Sequence, residues 1–287
     1  MKAIKQVLKK YPHAAMLIGN GPNLSAGIMP SWSALLAAAG DQRIKYPYFE
    51  LSNTEIYDLV ELYAKPTTDV KKNVIGQLQI KDPTKLEVHK RLMELAKSHN
   101  SPVLTTNFDA GFETAIGAKM HHITAKGFTR YYPWKSYYAI DQLVKPCDGF
   151  GIWKVHGDVR YKDSIRLGLS DYIGSARRAD DLLSKGAGRL GNSHRTAPWN
   201  GHDTWLDIWF NKPIIIFGLG YGPDETFLRW LLIERRRYFN KIGREMDVTY
   251  IDVKPGNGQA PNNAVYNLMK NLGVKLKLVS GFGDIYG

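Results

Sequence analysis

The sequence predicts an α/β protein built on an open parallel β-sheet, with a ligand site at the carboxyl ends of the strands. Three observations predict it. Apolar runs of strand length recur along the chain, and they read as near-continuous hydrophobic stretches, as strands buried on both faces do. Most of these runs stop abruptly at glycine or polar residues. Helical patterning fills the intervals between them.

In chain order, residues 2–10 predict a helix that ends before Pro12, and Ala14-Ala15-Met16-Leu17-Ile18 predicts the first strand, stopping at Gly19-Asn20-Gly21-Pro22. Residues 33–39 predict the following helix. Residues 41–100 carry helical patterning broken by Pro47, Pro66 and Pro83, and predict a helical submodule inserted between the first two strands. Its clearest helices are 54–64 and 84–98, each begun by a capping threonine; Thr84 and Glu87 have capping-box spacing. Pro102-Val103-Leu104-Thr105-Thr106 predicts a second strand, ending at Asn107-Phe108-Asp109. Gly151-Ile152-Trp153-Lys154-Val155 predicts a third, ending at His156-Gly157-Asp158. Pro213-Ile214-Ile215-Ile216-Phe217 predicts a fourth, ending in the glycine loop 218–222. Residues 247–251, stopped by Asp252, and residues 275–279 predict the last two. The Gly-, Ser-, Arg- and Asn-rich segment 174–203 predicts a mobile loop region around a helix. The whole, residues 1–287, reads as a single Rossmann-like domain.

Composition removes several classes. At 44% hydrophobic and 23% charged residues the chain is an ordinary globular protein rather than a disordered one. Its apolar runs are far too short to span a bilayer, and residues 1–10 lack the apolar core of a secretory signal, so a cytoplasmic location without membrane contact is expected. Cys147 is the single cysteine, which excludes an internal disulfide and a four-cysteine zinc site. The net charge of +12 is scattered. Its densest cluster, Arg235-Arg236-Arg237, falls in an amphipathic helix and predicts a solvated face or protein interface. No nucleic-acid-binding pattern accompanies it, so direct nucleic-acid binding is not expected.

The strand-end residues carry the chemistry. Gly19-Asn20-Gly21 is a G-x-G without a third glycine, and Ser25-Ala26-Gly27 supplies further small residues that let the backbone approach a pyrophosphate. The loop from Gly218 to Gly222 offers backbone N–H groups from the other side and leads into a helix capped near Asp224. Asp224 and Glu225 read as acids matched to that helix dipole.

Together these motifs resemble the Sir2 superfamily. Gly19-Asn20-Gly21-(x)3-Ser25-Ala26-Gly27-Ile28-Met29-Pro30-Ser31-Trp32 resembles its first motif, and Thr105-Thr106-Asn107-Phe108-Asp109 its Asn/Asp motif. Lys154-Val155-His156-Gly157 is similar to its His-Gly motif, and Phe217-Gly218-Leu219-Gly220-Tyr221 to its late phosphate loop. The order agrees. Pro30-Ser31-Trp32, the lone cysteine and Leu169-Ser170-Asp171-Tyr172 make the chain look closer to bacterial Sir2-like antiviral-defence NAD hydrolases than to deacylating sirtuins. The resemblance implies catalytic roles for Asn107 and His156. It implies NAD contacts at Gly19, Gly21, Ser25, Asp109, Gly218 and Gly220, and more loosely at Asp252. Asn20 and Pro22 depart from the family's G-A-G start.

The implied reaction is NAD⁺ plus water giving nicotinamide and ADP-ribose, with NAD as substrate and no metal. The residue types suit it: an amide to place the ribose or the water, an imidazole to accept a proton, and a carboxylate for the nicotinamide carboxamide. Each motif also has a structural explanation. A histidine before glycine is more often a satisfied structural residue, and Asn107-Phe108-Asp109 could be only a turn. His121-His122 and His194 with His202 lack supporting ligand spacing and are set aside as metal sites. A nucleophile elbow and a P-loop are absent. The family implies an NAD-depleting effector of antiphage defence. The chain stops soon after its last strand, so gating by a separate activator or sensor protein and assembly into homo- or hetero-oligomers are expected. Tyr131-Tyr132-Pro133-Trp134, the basic helix and the 174–203 segment are the expected contacts. The rival expectation is a non-catalytic subunit that binds NAD or ADP-ribose and regulates its partner.

Overall fold

The structure is a computed structural model and describes residues 1–39, 51–124, 134–255 and 263–287. Its centre is an eight-stranded sheet: β1 (Ala15–Ile18), β2 (Val103–Thr105), β3 (Lys119–His122), β4 (Ser136–Ala139), β5 (Ile152–Lys154), β6 (Ile214–Phe217), β7 (Val248–Val253) and β8 (Lys275–Val279). The spatial order is β3-β4-β5-β2-β1-β6-β7-β8. Six strands, from β5 across to β8, are mutually parallel. Counted by chain order among themselves they run third, second, first, fourth, fifth, sixth, the order of a Rossmann-like sheet. The order reverses between β1 and β6, so a crevice opens there at the carboxyl ends.

Strict alternation builds the two faces. Ala15 and Leu17 of β1 enter one apolar cluster, Met16 and Ile18 the opposite one. The helices are α1 (Lys2–Lys10), α2 (Gly21–Ala26), α3 (Trp32–Ala39), α4 (Asn53–Tyr63), α5 (Val70–Gln77), α6 (Glu87–Ser98), α7 (Gly111–Ile116), α8 (Leu169–Ser184), α9 (Trp205–Asn211), α10 (Thr226–Lys241), α11 (Asn263–Asn271) and α12 (Gly283–Tyr286). Helices α8 to α11 cover the Leu17 face, while α1, α6, α7 and α12 cover the Met16 face. A third cluster unites α3, α4 and α5 with Phe108, Ile165 and Leu167. The expected submodule therefore has its own core and hangs over the strand ends. Residues 41–50 of it lie outside the described residues. Helix α6 belongs to the sheet instead: Leu92, Met93 and Ala96 are buried against the strands. None of the described helices is long and apolar enough to cross a membrane.

Several expectations are corrected. Neither threonine caps a helix. Ser52 caps α4 in a capping box with Glu55, and Asp82 accepts from Thr84 at a 3-10 turn (Pro83–Lys85) before α6. The sheet gains the antiparallel strands β3 and β4 beyond β5. The helix expected in the 174–203 segment is α8, which begins earlier, at Leu169, and Leu190 and Trp199 of the loop after it are buried. Arg235 is not on a solvated face. It is buried, donates from Nη2 to the Lys212 carbonyl at 2.8 Å, and stacks over Phe239 with 4.7 Å to the ring centre. Of the aromatic stretch 131–134, only Trp134 is among the described residues, and it is core, stacked on Trp205.

Candidate active site

The cleft at the reversal point has a volume of about 310 Å³, within the range of small-ligand sites. The ends of β2, β5 and β6 deliver Asn107, Asp109, His156, Gly218 and Gly220 to it. Helix α3 and the loop before it add Met29, Pro30, Ser31, Trp32 and Leu35, so one wall is apolar. Trp32 and Phe108 lie with ring centres 6.0 Å apart on that wall.

Local chemistry shapes each strand end. Thr105 donates from Oγ1 to the Ile18 carbonyl at 2.9 Å and accepts from the Asn107 N–H at 3.1 Å, which turns the chain as β2 stops. Asp109 then accepts from the Gly111 N–H at 2.8 Å through Oδ1 and from Asn23 Nδ2 at 2.7 Å through Oδ2. Asn23 also donates to Asn20 Oδ1 and accepts from His89 Nε2, both at 2.8 Å. Burial holds the His89 pKa below its ordinary value, against the opposing charge of Asp109. Asp109 is thus a network member as well as a lining residue. The Asp109 carbonyl accepts from Lys154 Nζ, and Lys154 pairs with buried Glu113 at 3.0 Å.

At the end of β5, Gly157 adopts φ +108°, and a Cβ there would run into the Ser164 carbonyl. That crossing explains why glycine follows His156. The imidazole packs edge-on to Tyr172, with ring centres 5.2 Å apart, and lies 6.5 Å from Phe227. Its Nε2 is 2.9 Å from Glu225 Oε2. The Tyr172 phenol is pushed well up by burial and stays neutral. Two buried atoms of cleft residues have no hydrogen-bond partner among the described residues: Asn107 Nδ2 and His156 Nδ1.

Two expectations about the glycine loop change. Asp224 does not cap α10; its two carboxylate oxygens accept from the Asn53 N–H and Asn53 Nδ2, each at 2.6 Å. Glu225 occupies the N-cap position of α10 but makes no capping hydrogen bond, because it is turned to His156. Both acids line the cleft, and sequence reasoning missed both roles. The available signal was two consecutive acids behind a glycine loop, where a helix start needs only one.

The remaining expected residues lie outside the cleft lining. Gly19 and Gly21 meet the Gly218–Leu219 backbone so closely that a Cβ on either would collide with it, and Tyr286 Oη also sits over Gly21. They let two loops touch. Ser25 is exposed on α2. Asp252 accepts from Tyr266 Oη at 3.0 Å, and Tyr250 beside it donates to the Leu219 carbonyl at 2.9 Å, tying β7 to the glycine loop. Among the described residues, no group of three or more His, Cys, Asp or Glu side chains is placed to hold a metal. No protein-family model matches this chain, and no curated protein matches it, so the functional reading starts from these side chains.

Proposed function

We propose that this chain is a Sir2-like NAD⁺ hydrolase, converting NAD⁺ and water to nicotinamide, ADP-ribose and a proton. One observation carries the reading. The cleft at the sheet reversal holds an amide and an imidazole with buried, unpaired nitrogens, Asn107 Nδ2 and His156 Nδ1. Buried polar atoms of native proteins are mostly paired, so two unpaired ones on residues of one cleft support a ligand bound there. The glycine loop 218–222 lines the cleft and offers backbone N–H groups for a diphosphate, and the Trp32–Phe108 wall offers a surface for a flat ring.

In this reading Asn107 holds the ribose or the incoming water through its amide. The bond from ribose C1′ to the pyridinium nitrogen breaks, its electron pair leaving with neutral nicotinamide. Water oxygen attacks C1′ as positive charge develops on the ribose, and His156 takes the water's proton. The buried imidazole and the apolar wall limit water to the place where it reacts. By its resemblance to the defence branch, the chain acts as an NAD-depleting effector gated by a separate partner protein. The test is nicotinamide release over time by purified chain, alone and with the proteins that co-purify with it. Turnover that appears in either preparation and disappears in His156→Ala supports the reading. Binding of NAD⁺ without turnover in every assembly would transfer support to a nucleotide-binding regulatory subunit.

A further inference from the structure

We infer that Glu225 is a positioning residue, which fixes the proton of His156 on Nε2 and so makes Nδ1 the nitrogen that accepts the proton from water. The inference rests on the hydrolase reading for the identity of the proton donor. Its geometry stands independently of that reading.

A neutral imidazole has one N–H donor and one lone-pair acceptor, and the hydrogen bond made by one nitrogen decides the role of the other. A carboxylate can only accept. With Glu225 Oε2 at 2.9 Å, Nε2 is the atom that carries hydrogen, and Nδ1 keeps the lone pair. Nδ1 is buried on a side chain that is 2% exposed, and it has no partner among the described residues. The ring packs edge-on to Tyr172 with centres 5.2 Å apart and lies 6.5 Å from Phe227, and the bond to Glu225 sets the direction of the lone pair.

The surroundings leave this task to Glu225. Asp224, its neighbour, spends both oxygens on Asn53. Arg166 and Asp171, on the α8 side of the ring, lie 3.7 Å from each other, and the Tyr172 phenol stays neutral. Glu225 is also placed where an acid normally serves the helix dipole and caps the first turn. It makes no capping bond on α10 and spans 69 residues of sequence to reach His156 instead. When the imidazole takes a proton on Nδ1, the carboxylate faces the resulting cation at hydrogen-bond distance, the role an orienting carboxylate plays behind a histidine base.

Two measurements test this on the whole protein. Nitrogen-15 spectra of histidine-labelled protein, with the His156 signals assigned by their loss in His156→Asn, report which nitrogen is protonated in the neutral ring. Wild type is expected to show the Nε2–H form, and Glu225→Ala a mixture of both forms. Kinetically, Glu225→Ala should lower kcat for NAD⁺ about 10–100-fold while leaving KM unchanged, the range seen when an orienting outer partner is removed. Glu225→Gln, whose neutral amide can donate to Nε2 as well as accept from it and cannot balance the imidazolium, should leave most of that loss in place. An Nδ1–H ring in wild type, or wild-type kcat in Glu225→Ala, overturns the inference. The two readings fail separately. A protein that never turns over NAD⁺ yet shows a Glu225-dependent Nε2–H ring loses the hydrolase reading and keeps the positioning role.

Discussion

Two polar clusters occupy neighbouring strand ends, and they differ in how completely they are paired. Between β1 and β2, the side chains of Asn20, Asn23, His89 and Asp109 bond to one another, and among the described residues only His89 Nδ1 of this cluster is buried without a partner. Across β2, β5 and β6, Asn107 and His156 each leave a buried nitrogen open on a residue that lines the cleft. Both clusters draw on amide, imidazole and carboxylate side chains, the open one through Asn107, His156 and Glu225, so residue type alone does not separate them. The closed cluster stabilises the loops, and the open one keeps unspent hydrogen-bonding capacity on residues that line the cleft.

The sharpest way to break that comparison is to delete from the open cluster. Asn107→Ala and His156→Ala should each reduce nicotinamide release by about 10²–10⁴-fold, the usual contribution of a positioned base or ligand. Asn107→Ala should leave the melting temperature near wild type, because the unpaired Nδ2 contributes no hydrogen bond to the fold, whereas His156→Ala also removes a buried ring and its bond to Glu225 and should cost some stability. A large loss of stability in Asn107→Ala would show that the open cluster is structural after all.

Deletion from the closed cluster should do the reverse. Asp109→Ala strands the Asn23 amide and the Gly111 N–H in a buried setting, a loss of about 2–4 kcal/mol read by denaturant unfolding. Activity should fall as well, since the turn carrying Asn107 shares this anchor. A destabilisation below about 0.5 kcal/mol, the range of neutral surface changes, would erase the distinction between the clusters.

A smaller effect is expected where the submodule is fastened to the sheet. Asn53 and Asp224 join α4 to the glycine loop by two hydrogen bonds. A double-mutant cycle with Asn53→Ala and Asp224→Ala should return a coupling of about 0.5–3 kcal/mol. Additive losses would mean that this pair does not help to fasten the submodule.

How much of this was legible in the sequence depends on the range over which each residue acts. The parallel strands were readable because burial on both faces makes them uniformly apolar, and the residues at their ends were readable by position. Strands β3 and β4 were not, since Lys119-Met120-His121-His122 at a sheet edge has neither an apolar run nor clean alternation. The Ser52 cap stands two residues before Thr54, a local ambiguity among hydroxyl residues. Arg235 lay within a run of three arginines, and its burial follows from the Lys212 carbonyl 23 residues back. Its ring partner Phe239, four residues on, was the local hint. Asp224 and Glu225 were misread because their partners are 171 and 69 residues away. Site residues that point into a crevice announce themselves by type, whereas those that hold other residues do so only through the fold.

The last expectation concerns acid, and it sharpens the comparison through the closed cluster's own histidine. His89 is buried, and burial lowers its pKa in the folded chain relative to the ordinary imidazole value. Below that ordinary value, near pH 6.5, the unfolded chain binds a proton that the folded chain refuses. Stability is therefore full above about pH 6.5 and declines as the pH falls toward the lowered folded value. A proton on His89 Nδ1 would also find no acceptor among the described residues. His89→Gln can keep the donation to Asn23 Oδ1 and has no titration in this range. Unfolding measured from pH 8 to pH 5.5 should show a shallower acid loss in His89→Gln than in wild type. Equal slopes would mean that another group sets the acid limb, and that the closed cluster is indifferent to the charge of its imidazole.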